Sequence, residues 1–174
     1  MPRISTPMIG FMSDEVDRLL EAWHRERPDL DVSPMGVLSR VSRLARHLDR
    51  ARSQAFGAHE LESWEFDVLS ALRRSGEPYQ LSPGQLIRET MVTSGTMTNR
   101  VDRLAARGLV ERLPDPRDRR GVQVRLTAAG RRTVDGALEA LLQREHLLLS
   151  QLSGPESDRL ADLLRTLVTP FDSA

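Results

Sequence analysis

A mainly α-helical fold with one small β-hairpin is predicted by three features of the sequence. Leu and Arg are by far the commonest residues, Ala and Glu are also frequent, β-branched runs are scarce and aromatics make up only 4% of the chain, which favours helices over sheets. Apolar residues recur at helical spacing over most of its length. Between Thr93 and Arg132 the order becomes helix, strand, turn-rich basic hairpin, strand, helix, the layout of a winged helix-turn-helix whose hairpin is the wing.

The elements follow in order. A first amphipathic helix is predicted from Ser13, its expected N-cap, to about Arg27, with Val16, Leu19, Leu20 and Trp23 on one stripe and Pro28 closing it. A longer helix runs from Ser33 or Pro34 to Phe56, where Val37, Leu38, Val41, Leu44, Leu48 and Ala51 keep helical spacing and Gly57 ends it. Trp64, Val68, Leu69 and Leu72 define a third helix from about Leu61 to Arg74, stopped by Ser75-Gly76-Glu77-Pro78. The segment LSPGQLIRET, with Ser82 as N-cap and Pro83 in the first turn, and the segment Thr93 to Arg107, closed by Gly108, form the tight helical pair. Leu109 to Leu113 and Val122 to Leu126 alternate as two strands joined by the turn-rich PDPRDRRG. Two long helices, about Thr127 to Leu152 and Pro155 to Phe171, carry more leucine than one small protomer can hide.

With 174 residues, 39% hydrophobic and 29% charged, the chain is expected to be a single protomer over residues 1–174. The winged helix-turn-helix spans 61–126, and the helices at 13–56 and 127–172 pack against a second copy in a two-fold dimer. No apolar run approaches a membrane span, and the N-terminal MPRISTPMIGFMSDE has too short an apolar core for a secretory signal. A cytoplasmic protein without a membrane partner is therefore expected. The absence of cysteine excludes disulfides and thiolate metal sites. His24, His47, His59 and His146 are scattered without ligand spacing, so neither a metal nor another cofactor is expected; histidines meeting in a dimer would be candidate pH sensors. No nucleophile elbow, phosphate-binding glycine loop or carboxylate pair is present, which argues against an enzyme.

Charge points to nucleic acid. The chain as a whole is neutral, yet the 40 residues from Thr93 to Arg132 hold ten arginines against four acids, the local excess needed to neutralise phosphates. Ser94, Thr96, Thr98 and Asn99 lie in the first turns of the proposed recognition helix, where short polar side chains reach base edges or phosphates and the helix dipole favours anions. Thr98 and Asn99 are the stronger candidates for bases, and Ser94 is equally suited to starting the helix. Arg103 is a candidate phosphate contact or a partner of Asp102 or Glu111. Arg117, Arg119 and Arg120 at the wing tip suit a narrow minor groove.

The linked set SGTMTNRVDRLAARGLVERLPDPRDRRGVQVRLTAAG, with its helix-ending Gly, Asp-x-Arg wing and Leu-Thr-x-x-Gly helix start, resembles the MarR family of bacterial transcription regulators, and the resemblance covers nearly the whole chain. It implies a dimer with one recognition helix per protomer in successive major grooves of double-stranded operator DNA. It also implies that Arg120 is the minor-groove finger and Asp118 its brace. Within the family the chain is similar to the PecS-like and urate-responsive subgroup. That resemblance implies an effector pocket made by Trp23 on the added first helix, Asp67 within WEFDVL, Arg100 within TMTNRVDRL and Arg112 within LVERLP. A planar anion against Trp23 would take charge-assisted hydrogen bonds from Arg100 and Arg112. Without ligand, Asp67 is expected to pair with Arg100 and hold the recognition helix.

The function expected is thus that of a dimeric repressor released from a pseudo-palindromic operator by a small urate-like or polycarboxylate anion. A regulator answering phenolic or drug-like compounds is the alternative within the class. A helical interaction protein that does not bind DNA is the alternative outside it.

Overall fold

The computed structural model describes residues 13–116 and 118–172, with the side chains of Arg119, Arg120 and Asp172 outside that description. Seven helices and three strands are found among the described residues: α1 Glu15–Glu26, α2 Ser33–Gly57, α3 Ser63–Arg74, β1 Gln80–Leu81, α4 Pro83–Thr90, α5 Ser94–Ala106, β2 Val110–Asp115, β3 Asp118–Leu126, α6 Ala128–Leu149 and α7 Gly154–Asp172. The described residues form two compact units, one up to residue 50 and one from residue 51 onward, with the boundary inside α2. None of these helices is long and apolar enough to cross a membrane.

In the first unit, α1 starts one residue later than the expected Ser13 cap. Asp14 is the N-cap: its carboxylate accepts from the Val16 and Asp17 amides at 2.8 and 3.0 Å, while the Asp17 side chain accepts from the Asp14 amide at 2.9 Å. With Asp14 as cap the third helical residue is Asp17, which returns the bond and completes a capping box; with Ser13 it would be Val16, which has no side-chain acceptor. Arg40 of α2 bridges both acids, donating to Asp14 at 2.9 Å and to Asp17 at 2.6 Å. Arg40 first, then the Asp17 amide, holds the Asp14 carboxyl below its ordinary value. Because the folded-state value is depressed, the cap contributes fully above the ordinary aspartate range and is lost as pH falls through the depressed value. Hydrogen-exchange protection factors at Val16 and Asp17 should therefore persist through the ordinary aspartate range near about pH 4 and fall only below it, and Arg40→Met should move that fall to higher pH.

The second unit is built around α3. Val68, Leu69 and Leu72 are fully buried with Phe56, Leu86, Met97, Leu104, Val124, Val134 and Ala137, and Phe66 stacks on Phe56 at 4.0 Å between ring centroids. The sheet has the order β1-β3-β2, antiparallel throughout. β1 was not expected from the sequence; its two residues exist as partners of β3, Gln80 opposite Arg125 and Leu81 opposite Val124.

The wing is longer than the turn-rich PDPRDRRG suggested. β2 runs on to Asp115 and β3 begins at Asp118. β2 is an edge strand, where Pro114 can lack its N–H. Gly121 is required beside it, since a Cβ there would stand 2.8 Å from that of Asp115.

Thr127 caps α6 by accepting from the Gly130 amide at 2.9 Å, and its own amide donates to the Leu109 carbonyl at 3.1 Å. α7 contributes no buried residue among those described; Leu147 on α6 and Leu163, Leu167 and Phe171 on α7 are exposed.

Candidate nucleic-acid interface

The recognition helix α5 has two distinct faces. Met97, Val101 and Leu104 are buried at 0–1% exposure, one turn apart, and pin the helix against the core. That leaves Ser94, Thr96, Thr98 and Asn99 exposed. The cap is Thr93, which accepts from the Thr96 amide at 3.4 Å and lies 2.9 Å from its hydroxyl, so Ser94 is the first helical residue. The Thr98 hydroxyl donates back to the Ser94 carbonyl at 3.1 Å and keeps lone pairs for an outside donor. Short polar side chains at the positive end of a helix dipole are thereby presented outward.

Three arginines flank this row, each held by a neighbour. Arg100 and Arg103 lie over the Trp64 ring at 5.4 and 4.7 Å, within cation–π range. The Trp64 indole donates to Glu62 at 2.7 Å, and Glu62 also accepts from Arg103 at 2.6 Å. These two donors, the indole first, keep the Glu62 carboxyl below its ordinary value. Trp64, Gly95, Thr96, Asn99, Arg100 and Arg103 surround an open cleft of about 470 Å³. Arg112 of β2 meets Asp102 at 2.8 Å and lies 3.5 Å from the Thr98 carbonyl, so it spans from the wing to the recognition helix. At the far end of α5, Arg107 donates to Glu65 at 2.6 Å and to the Glu60 carbonyl at 2.9 Å.

The four residues expected to form an effector pocket are placed as follows. Asp67 pairs with Arg52 at 3.7 Å, which corrects the expected Asp67–Arg100 pair. The reason is geometric: Arg100 stacks on Trp64, while Arg52 in the last turns of α2 reaches Asp67. Arg100 lies on α5 and Arg112 reaches it from β2, and Trp23, 42% exposed, belongs to the first unit. Of the wing residues, Arg117 and the side chains of Arg119 and Arg120 lie outside the described residues, and Asp118 is exposed. Among the described residues no group of three or more His, Asp or Glu side chains is placed to hold a metal.

The sequence reading missed Glu62, Trp64, Glu65 and Arg107. Trp64 was read only as core of the third helix. The available signal was a pair of acids three apart at 62 and 65 and a pair of arginines four apart at 103 and 107, each able to share one helix face.

The profile of the MarR family matches residues 59–121, the segment that contains all of α3, α4, α5 and β2. The transcriptional regulator PecS of Dickeya dadantii is 39% identical over 150 residues, covering 86% of this chain and 90% of that protein. The chain belongs to the MarR family. Like other MarR-family proteins it is a transcription regulator and not an enzyme. A mutant of MarR from E. coli, solved in complex with operator DNA, superposes with a TM-score of 0.64 at 26% identity, covering 84% of this chain and 97% of that one. Bordetella bronchiseptica BpsR, whose DNA binding is regulated by 6-hydroxynicotinic acid, superposes with a TM-score of 0.62 at 28% identity over 75% of this chain and 91% of that one.

Proposed function

We propose that this MarR-family regulator is a dimeric repressor that binds a pseudo-palindromic operator and is released by a small planar or polycarboxylate anion, urate being one example. The observation that carries the DNA reading is the outward row Ser94, Thr96, Thr98 and Asn99 on a helix whose opposite face is fully buried. Base readout needs such a rigidly seated polar face, and Arg103 with the wing residues Arg117, Arg119 and Arg120 supplies phosphate and minor-groove contacts. The exposed leucines of α6 and α7 suit burial against a second copy. A two-fold pair would place the recognition helices in half-sites about one helical turn apart.

Arg112 supports the effector reading. Its contacts with Asp102 and the Thr98 carbonyl run to the recognition helix itself. An anion that takes this guanidinium works against those contacts, and release follows if the anion prefers the resulting state. Asp67, Arg100 and, as a stacking surface, Trp23 are the other effector contacts proposed from the family resemblance. The acid that regulates BpsR is itself planar and aromatic, of the same chemical class.

The test is a titration against duplex DNA from upstream of the protein's own gene, repeated with urate, xanthine, citrate, trans-aconitate and salicylate at fixed pH and salt. Release by one of the anions is expected, with coupling of roughly 1–3 kcal/mol, about 5- to 150-fold in affinity. Arg112→Ala should abolish release by that anion. Release by a neutral phenol that survives Arg112→Ala would favour an apolar pocket instead. Absence of salt-dependent duplex binding would overturn the DNA reading.

A further inference from the structure

We infer that Glu62, braced by Trp64, competes with DNA phosphate for Arg103 and so sets how tightly the protein holds DNA. This rests on the reading of Arg103 as a phosphate contact. Three contacts close into a ring: the indole donates to one Glu62 oxygen at 2.7 Å, Arg103 donates to the other at 2.6 Å, and the Arg103 guanidinium lies 4.7 Å from the Trp64 ring centroid. The ring fixes both the place of the guanidinium and the carboxylate that occupies it. Arg103 and Glu62 remain 54% and 56% exposed, so a phosphate can reach the pair from solvent.

An exposed ion pair contributes little, and a phosphate within a polyanion has the stronger field. Arg103 therefore leaves Glu62 when DNA binds, or shares itself between the two. Either way a carboxylate stays beside the phosphate and offsets part of the charge that Arg103 brings. Trp64 is the positioning residue: with its indole N–H engaged, Glu62 is held where Arg103 is and does not swing into water. This arrangement limits affinity for DNA of any sequence and leaves base readout by α5 untouched.

The experiment measures Kd against salt for the full-length protein on its operator and on a scrambled duplex, with Glu62→Gln, Arg103→Ala, the double variant and Trp64→Phe. Gln keeps the shape and one acceptor but removes the charge. Glu62→Gln should tighten both duplexes by about two- to five-fold, the range set by an exposed pair. It should also steepen the salt slope by up to about 0.9, the weight of one phosphate. The ratio between the two duplexes should not change. In the Arg103→Ala background the gain should vanish. Trp64→Phe, which keeps an aromatic ring but loses the indole donor, should tighten binding in the same direction by less. A merely structural role for Glu62 predicts weaker binding and a lower Tm instead. Equal tightening with and without Arg103 would assign the effect to bulk charge and overturn the inference, as would no tightening at all. If Arg103→Ala itself leaves the salt slope unchanged, the phosphate reading of Arg103 falls, and the inference with it.

Discussion

Gly130→Ala is expected to lower the melting temperature by roughly 10 °C, a destabilisation of about 3 kcal/mol at the upper end of overpacking costs. A Cβ at this position would stand 2.0 Å from the Leu109 carbonyl oxygen, 2.9 Å from its carbon and 3.0 Å from a Leu126 methyl. Two of these three atoms are backbone, and they are not free to retreat. The Leu109 carbonyl accepts from the Thr127 amide at 3.1 Å, and the Thr127 hydroxyl that receives the Gly130 amide lies 2.8 and 3.1 Å from the Gly108 and Leu109 carbonyls. Relief requires the start of α6 to move off the Gly108-Leu109 backbone that leads into β2, and α6 carries Val134, Ala137 and Leu141 in the core. Gly57→Ala is the control: nothing lies within 4 Å of its added Cβ, so a neutral or slightly stabilising effect is expected in a helix. Circular-dichroism melts at one protein concentration decide it. A Gly130→Ala melt within about 2 °C of the wild type, a shift that overpacking of backbone does not produce, would refute this account of the contact.

That contact also marks how far the sequence could be read. The Leu-Thr-x-x-Gly pattern announced a helix start, and Thr127 is indeed its cap. The reason for the Gly lies in an approach of chain segments about twenty residues apart, which no local pattern carries. Helix spans were legible because burial on one face imposes helical periodicity: α2 was expected from Ser33 or Pro34 to Phe56 and is found from Ser33 to Gly57. β1 was not, since two residues have no period and depend on β3 for their pairing. The wing strands were read short because Pro, Asp and Gly signal a turn locally, while the antiparallel ladder of β2 and β3 continues through them to Asp115 and Asp118.

The outward row of α5 was legible for a similar reason: a polar run opening an amphipathic helix must face away from Met97, Val101 and Leu104. The partners of the arginines were not. Arg103 meets Glu62 across 41 positions and Arg107 meets Glu65 across 42, and charge alone does not say which acid a guanidinium finds. The expected Asp67–Arg100 pair shows the difficulty. Both residues lie in the expected elements, yet the packing of α5 against the start of α3 gives Arg100 to Trp64 and leaves Asp67 to Arg52.

Arg107→Ala is expected to cost about 2–3 kcal/mol and to weaken operator binding at least ten-fold. Among the described residues Glu65 is the one charged side chain in the buried core, 2% exposed, and Arg107 at 2.6 Å is its counter-charge. Without Arg107 the carboxylate keeps the Glu62 amide at 2.9 Å as its recorded donor, and a buried charge left unpaired is costly. The figure sits below the usual 3–5 kcal/mol for a broken buried pair, because the Arg107 side chain is itself 35% exposed and water can partly replace it. Arg107 is also the residue at which α5 ends, and through Glu65 and the Glu60 carbonyl it ties that end to the start of α3. Loss of the tie should let the recognition helix tilt, which penalises base readout more than phosphate contact. Operator affinity should therefore fall further than affinity for a scrambled duplex. Replacing both partners, Glu65→Leu with Arg107→Leu, separates the two roles, since an apolar pair of similar volume can match a buried ion pair in stability. The double variant should recover most of the melting temperature. If operator preference stays low while stability returns, the pair acts by aiming α5; if both return together, burial alone was the requirement and the positioning role is refuted.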